Sequence, residues 1–389
     1  MLTRAGWALL AVSVGVILAG RIFGVTELFV AGAIGVLLPL AAFAAVRSSV
    51  LRLRVRRTLK PARVHAGDTT RIELAVANAG GRRTPTLMLT DPVDGTRGAA
   101  LTLAPLRSGS SARAAYRLPT TRRGVVHVGP LRVTLEDPFG LARRRAVAAP
   151  VLELTVLPHI DPLRLPKVGG DRDPHGVAVR ANEASSRGDE LLGLRPYVVG
   201  DDLRTVHWKA SARTGDLIVR QVEQPNQDHT TVVLDTRRSS HTVDSFERAV
   251  SAVASVATAA FGQRHLLRLL AADGTDTGLG TGLAHADGIL EYLATVSSSG
   301  SGSLRSALDS LGRARRGGLV VLGMGRPTPM EIEGLGRLAR SGCTPVAVVC
   351  ELPVPTGIPV GVIVVDAATQ PLPEAWDRAF VRSRRRSFT

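Results

Sequence analysis

Cysteine is nearly missing from this chain. Only Cys343 and Cys350 occur among 389 residues, too few for a disulfide framework. Both sit in or beside an apolar run, which fits buried thiols in a reducing compartment. Aromatic residues are scarce, at 4%. Acidic residues are outnumbered, 33 Asp and Glu against 49 Lys and Arg, for a formal net charge of +16. Such a balance suits nucleic acid, an anionic membrane surface or an acidic protein. Arg far outnumbers Lys, however, and Ala, Gly and Val abound. GC-rich coding yields that bias without any binding role, so no nucleic-acid partner is expected. Enzyme signatures are absent too. There is no Gly-x-Ser-x-Gly, His-Glu-x-x-His or Walker motif, and each of those carries a specific chemistry. No repeat of 20–50 residues is visible.

Long hydrophobic runs are present. Ala5–Gly20 carries no charge, and after Arg21 the apolar character resumes with Ile22, Phe23 and Val25. Leu28–Val46 is a second uncharged run. A bilayer core needs about 20 apolar residues per helix, which predicts spans near residues 5–25 and 28–46 within a hairpin covering residues 1–50. Arg21 would snorkel at a helix end, and Pro39 would kink the second helix. A cleaved signal peptide is disfavoured, because no small-residue cleavage site precedes the second span. Arg47, Arg52, Arg54, Arg56, Arg57 and Lys60 follow the hairpin and Arg4 precedes it. The positive-inside rule then places both ends, and the domains that follow, in the cytoplasm of a multi-pass protein of the cell membrane. The same basic flank would rest on anionic headgroups of the bilayer.

Residues 51–158 change to short alternating runs, such as Ile72, Leu74 and Val76, punctuated by Asp94-Gly95 and Gly129-Pro130. That pattern predicts an all-β, sandwich-like domain. Asp137-Pro138-Phe139-Gly140 closes it, read as a turn with an anchoring aromatic. Leu163–Gly188 is a Gly/Pro-rich loop whose Asp171, Asp173 and His175 read as a solvated turn and not as metal ligands. From residue 230 to 389, apolar strand-length runs at Thr231–Leu234, Leu266–Leu270, Leu319–Leu322, Pro345–Val349 and Val362–Val365 alternate with helical stretches at Val243–Phe261, Ala286–Val296, Leu304–Leu311 and Met330–Ser341. Alternation of this kind implies a doubly wound α/β domain. Ser297–Ser303 reads as a flexible linker, Gly278–Gly282 is not placed for a dinucleotide site, and the C-terminus is a basic tail.

Between the β-rich and α/β regions, residues 159–229 hold an irregular loop and then a dense charged segment, Arg187–Glu223. Glu190, Leu194-Arg195, Tyr197, Gly200-Asp201-Asp202, Arg204, Trp208, Lys209, Ser211-Ala212-Arg213 and Val219-Arg220 stand there in order. This segment resembles the signature of the bacterial domain of unknown function 58 family, and the layout of the whole chain is similar to that family's. The resemblance implies two N-terminal spans, a β-segment ending in Asp137-Pro138-Phe139-Gly140, and a von Willebrand factor A-like domain. It further implies work beside a MoxR-type AAA+ ATPase, in assembly or maturation of a client and not in catalysis.

A von Willebrand A-like domain implies a metal motif Asp-x-Ser-x-Ser after its first strand, completed by a distant Thr and Asp. Here the loop reads Asp235-Thr236-Arg237-Arg238-Ser239. Asp235 and Ser239 match, whereas Arg237 replaces the first serine, and Gly323-Met324-Gly325-Arg326 brings no Asp. Mg²⁺ asks for near-octahedral oxygen ligands. A guanidinium about 5 Å from a divalent ion would cost roughly 6–7 kcal/mol at an effective dielectric near 20, unless Arg237 points away. The site is therefore read as degenerate, with no bound metal or other cofactor.

The signature admits two roles. In the first, Arg195, Arg204, Lys209 and Arg213 dock an acidic partner, for which Arg is well suited. In the second, which the reading favours, Asp201 and Asp202 accept turn and Arg hydrogen bonds while Tyr197 and Trp208 pack the segment against the sheet. Adjacent carboxylates on a strand point to opposite faces, His207 lacks a nucleophile partner, and Ser211 is not in a Ser-x-x-Lys arrangement, so no enzyme is expected. The expectation is a membrane-anchored, cytoplasm-facing scaffold or adaptor. The alternatives are a metal-dependent ligand-binding or adhesion module and a cell-envelope hydrolase.

Overall fold

The apolar N-terminal runs fold as two helices, α1 (Arg4–Phe23) and α2 (Thr26–Ser48), in the computed structural model, which describes residues 1–49, 52–166, 191–196, 206–222, 228–300, 302–314, 317–355 and 357–386. Both are long and apolar enough to cross a membrane. Thr3 starts α1 by accepting the Gly6 amide, and Gly24 stops it in the left-handed region at φ 68°, where a side chain is disfavoured. The helices pack through small residues. A Cβ on Gly32 would lie 2.9 Å from the Ser13 carbonyl oxygen, and one on Gly20 would lie 2.8 Å from the Phe29 amide. Small residues are what let apolar helices approach backbone to backbone. The second helix runs through Pro39 to Ser48.

By its internal contacts the chain forms two units, Met1–His159 with Leu290–Thr295, and Ile160–Ile289 with Val296–Thr389. After α1 and α2, the first unit holds β1 (Leu53–Lys60), β2 (Val64–His65), β3 (Thr70–Asn78), β4 (Leu87–Asp91), β5 (Ala99–Leu103), β6 (Ser111–Leu118), β7 (Gly124–Val128), β8 (Leu131–Glu136), β9 (Arg143–Ala149) and β10 (Leu152–Leu157). They form three sheets, ordered β1-β3-β6, β2-β10-β7 and β5-β4-β8-β9. Alternation decides which faces are buried. Ile72, Leu74, Val76, Leu87, Leu89, Val133 and Leu135 all face one core, while Arg71, Arg132, Arg113 and Arg117 face solvent.

Arg57 departs from its basic neighbours. Its side chain is 5% exposed and its Nη1 lies 2.9 Å from Oδ1 of Asp91, which is itself 1% exposed. Tyr116 donates its hydroxyl to the other Asp91 oxygen at 2.5 Å. The flank expected to lie on headgroups therefore loses Arg57 to the core, because every second residue of β1 points inward.

The second unit holds β11 (Leu191–Pro196), α3 (Trp208–Thr214), β12 (Ile218–Val222), β13 (His229–Leu234), α4 (Val243–Gly262), β14 (Leu266–Ala271), the start of α5 (Leu283–Thr295), α6 (Leu304–Ala314), β15 (Leu319–Met324), α7 (Pro329–Arg340), β16 (Thr344–Val349), β17 (Ile363–Asp366) and α8 (Leu372–Arg386). β11 and β12 pair as an antiparallel ladder. The other five strands form one sheet, ordered β14-β13-β15-β16-β17, with every neighbouring pair parallel. Continuous apolar strands such as Leu319–Met324 are buried along their whole length, as a parallel sheet covered on both faces requires.

Two expectations for this unit are corrected. The basic tail contains α8, anchored by Trp376, which is 1% exposed and whose Nε1 donates to the Arg164 carbonyl at 2.9 Å. Ser297–Ser303 is not a free linker at its described positions. Ser299 forms a backbone bridge with Arg237, and Ser303 donates its amide to Ala272. Cys343 and Cys350 are free and buried, and burial pushes the Cys350 thiol up to about 12.

Candidate functional site

Two features in the second unit bear on function: the signature helix, and the loop that follows β13. Glu190, Tyr197, Gly200, Asp201, Asp202 and Arg204 lie outside the described residues. Arg195 sits on β11, opposite Val219 of β12. The remaining signature residues build α3. His207 caps it, its Nδ1 accepting the Ala210 amide at 3.0 Å, and its amide donates to the Ile218 carbonyl at 2.7 Å. Ser211 is buried, and its Oγ accepts the Ile218 amide at 2.8 Å. Gly215 ends the helix at φ 80°. Helix and strand are thus joined at Ile218 by hydrogen bonds from the N-cap and from the middle of α3.

The outward side of this short helix differs from the expectation. Trp208 is 67% exposed, so it does not pack the segment against the sheet. Lys209 and Arg213 are exposed with it. Ser211 and His207 hold α3 in place, and the indole takes no part in that hold. Aromatic character alone argued for burial, but the inward-facing positions of a two-turn helix were already taken by Ser211 and its cap.

The loop after β13 carries the buried charges. Asp235 is fully buried. Its Oδ1 accepts Arg237 Nε at 2.8 Å and the Arg237 amide at 3.1 Å; its Oδ2 accepts Arg237 Nη2 at 2.9 Å and Ser240 Oγ at 2.6 Å. Arg237 Nη2 also lies 2.6 Å from Oε1 of Glu331, a residue only 5% exposed. Glu331 Oε2 in turn accepts the Thr328 amide at the start of α7, at 2.8 Å.

Three points of the sequence reading change here. Ser240, not Ser239, reaches Asp235, because a single 3-10 turn, Arg238–Ser240, brings Ser240 inward and leaves Ser239 exposed. Arg237 does not point away; its guanidinium lies against both carboxylates. Glu331, which sequence reasoning missed, supplies the second carboxylate. Its only local signal was Thr328-Pro329-Met330-Glu331, the pattern of a helix start with Glu at the third helical position.

Electrostatics follow from the geometry. Burial pushes the Asp235 carboxyl up, but hydrogen bonds from Arg237 and Ser240 and the Arg237 charge outweigh it and hold the group below its ordinary value. The Asp235 hydrogen bond, opposed by burial and reinforced by the charges of Asp235 and Glu331, raises Arg237. A carboxylate that accepts four hydrogen bonds is held as an anion, so Asp235 is poorly placed to take a proton from a substrate. Nearby, His241 Nε2 is 3.8 Å from Asp235 Oδ2. That nitrogen and Thr236 Oγ1 are buried and lack a hydrogen-bond partner among the described residues. Burial keeps His241 below its ordinary value, against the raising effect of Asp235.

Could these residues hold a metal? The oxygens of Asp235, Ser240, Thr236 and Glu331 are hard donors of the type Mg²⁺ prefers, but Arg237 occupies the space between the two carboxylates. Among the described residues no cluster of three or more His, Cys, Asp or Glu has a metal-holding arrangement. A cavity of about 650 Å³ opens beside Arg237, with Leu304, Arg305, Met330 and Arg337 in its wall.

Comparison with known proteins finds a family model described as protein of unknown function DUF58 matching residues 193–353. That stretch runs from β11 to just past β16, and leaves α1, α2 and the strand-rich unit outside. Curated proteins give no match. Among solved structures, the CARDB domain of PF1109 from Pyrococcus furiosus is 17% identical over 27% of this chain and 93% of its own, with a TM-score of 0.22. The alkylpurine DNA glycosylase AlkC from Pseudomonas fluorescens is 14% identical over 33% of this chain and 39% of its own, TM-score 0.20. A beta-glucosidase from Listeria innocua is 14% identical over 28% of this chain and 16% of its own, TM-score 0.19. Likeness at that level carries no argument about function.

Proposed function

Residues 193–353 belong to the DUF58 family, and from that premise we propose that the chain is a membrane-anchored adaptor that binds an acidic protein partner through α3. In this reading α1 and α2 cross the cell membrane as a hairpin with both ends in the cytoplasm, the strand-rich unit is a β-sandwich, and the five-stranded parallel unit is a von Willebrand factor A-like domain. The partner is a MoxR-type AAA+ ATPase or the client it acts on.

The observation that carries the proposal is Trp208. An indole that is 67% exposed, on a helix tied to β12 through His207 and Ser211 that also carries the exposed Lys209 and Arg213, has the composition of an interface anchor. Trp and Arg dominate binding energy where protein surfaces meet, and a pre-ordered helix avoids the entropy of arranging them on binding. The Asp235–Arg237–Glu331 cluster supports the non-catalytic part of the reading, since its carboxylates are already engaged with one cation.

The test is direct binding between the full chain in detergent micelles and a purified MoxR-type ATPase with nucleotide bound. Saturable binding that weakens at least tenfold in Trp208→Ala, and further in Trp208→Ala with Arg213→Glu, is expected, about 1.4 kcal/mol or more for the first step. No saturable binding, or equal affinity in all three chains, overturns the proposal.

A further inference from the structure

The turn at residues 137–140 leaves its one large apolar side chain outside. Asp137 is buried and organises the turn, its carboxylate accepting the amides of Phe139, at 2.8 Å, and of Ala142. Gly140 completes it at φ 68°. Phe139 is nevertheless 67% exposed. The anchoring role read from the sequence is thus reversed: Asp137 fixes the turn, and the turn holds the phenyl ring away from the core.

What lies next to that turn is the start of α1. The Thr3 amide donates to the Leu141 carbonyl at 2.8 Å, and Thr3 Oγ1 donates to the Gly140 carbonyl at 2.6 Å. Leu2 forms an antiparallel bridge with Ala142. Gly6 is needed for this fit, because a Cβ there would collide with the Leu141 carbonyl. The far end of the hairpin reaches the same segment. Arg144 Nη1 donates to the Ser49 carbonyl, one residue past α2, at 3.3 Å. Arg143, Arg144 and Arg145 are all exposed, as is Trp7, at 64%.

Residues 137–145 therefore lie where both apolar helices end. They present one phenyl ring and, because successive side chains of a strand point to opposite faces, Arg143 and Arg145 on one face of β9 and Arg144 on the other. Aromatic rings favour the headgroup level of a bilayer, and each Arg near an anionic surface contributes roughly 1 kcal/mol. We infer that Phe139, Arg143 and Arg145 form a membrane-docking patch, with Phe139 seated in the interface and the two arginines on the phosphates of anionic phospholipids. This rests on the reading of α1 and α2 as membrane spans, and goes beyond it by giving the strand-rich unit its own lipid contact.

The experiment uses the full chain in nanodiscs, spin-labelled at one position at a time: Phe139→Cys, Leu18→Cys on α1, or Arg113→Cys on the exposed face of β6, with the unsubstituted chain as background for Cys343 and Cys350. Collision with oxygen and with a water-soluble nickel chelate reports depth. The expected result is a deep label at 18, an aqueous label at 113, and a label at 139 with at least threefold less chelate access than at 113. Chelate access at 139 should fall further when phosphatidylglycerol replaces phosphatidylcholine, and Arg143→Glu with Arg145→Glu should abolish that lipid response. Because the cysteine removes the ring under study, Phe139→Trp in a Trp7→Phe chain, read by brominated-lipid quenching against the Trp7→Phe chain that retains Trp208 and Trp376, is the second measurement, with added quenching expected. A deep label at 18 with aqueous behaviour at 139 and no added quenching overturns the patch and leaves the spans intact. An aqueous label at 18 overturns the spans and the patch together.

Discussion

Arg237 and Glu331 meet at 2.6 Å, although 94 positions separate them in the sequence. Through this contact one guanidinium ties the end of β13 to the start of α7 and balances two buried carboxylates. Removing one partner of a buried pair leaves uncompensated charge, at about 3–5 kcal/mol. Arg237→Ala is therefore expected to lower stability by about that amount, read by chemical denaturation in micelles. Arg237→Lys should recover less than half, because a point charge cannot serve both carboxylates as a planar fork does.

The same substitution has a second readout. With the guanidinium gone, Asp235, Ser240, Thr236 and Glu331 offer oxygen ligands to a hard cation. Mn²⁺ or Mg²⁺ should raise the melting temperature of Arg237→Ala by several degrees and leave the unsubstituted chain unmoved, as binding to the folded state alone requires. Equal response in both chains would show that Arg237 does not stand in the cation's place.

His241 sets a pH dependence whose sign follows from burial. Its pKa in the folded chain lies below the ordinary value of 6.5, so the unfolded chain binds more protons between the two values. The resulting stability is complete above about pH 6.5 and declines as pH falls below it. Thermal melts from about pH 7.5 down to about pH 5.5 should show that decline in the parent chain and a shallower one in His241→Gln. Asp235, held below its ordinary value of 3.8, acts in a separate window, with its contribution lost only below about that pH.

In the strand-rich unit, Asp91 holds both Arg57 and Tyr116. Asp91→Ala should cost about 3–5 kcal/mol, and Tyr116→Phe about 1.5–3 kcal/mol, the range for a hydrogen bond to a charged group. Burial raises the Tyr116 phenol first, and the bond to Asp91 adds to it. Alkaline ultraviolet titration should then show one tyrosine that ionises only as the protein unfolds.

On α3, Ser211→Ala strands the Ile218 amide and should cost about 1–3 kcal/mol. Trp208→Ala, at an exposed position, should stay within about 0.5 kcal/mol. If the two costs were reversed, the indole would be packing the segment and Ser211 would not.

The central strands were legible because a strand covered on both faces is a continuous apolar run. Thr231–Leu234 and Leu319–Leu322 lie inside the observed β13 and β15 and fall short by no more than two residues at either end. The hairpin was legible for the equivalent reason, length without charge. What escaped was the burial of individual charges. Arg57 and Arg237 stand among exposed arginines in sequence, and only strand parity for the first, and a carboxylate on a distant helix for the second, draws them inside. Trp208 and Phe139 show the converse error, since large aromatic side chains were assumed to be covered. Helix α8 was concealed by its arginines, which mask the spacing of Leu372, Ala375 and Trp376. The residues of the signature most open to chemical reading, Asp201, Asp202 and Arg204, lie outside the described part of the chain.

The joining of both helix ends to residues 140–144 also has a kinetic consequence. A domain on a long flexible tether sweeps a large volume and meets its partners at a concentration set by tether length. Here Leu2 is bridged to Ala142, and Arg144 reaches Ser49 at the end of α2, so the strand-rich unit has almost no slack with which to tumble relative to the hairpin. If the hairpin spans a bilayer, the orientation of that unit is inherited from the helices, and its collisions with other membrane proteins become a two-dimensional search with one face always forward.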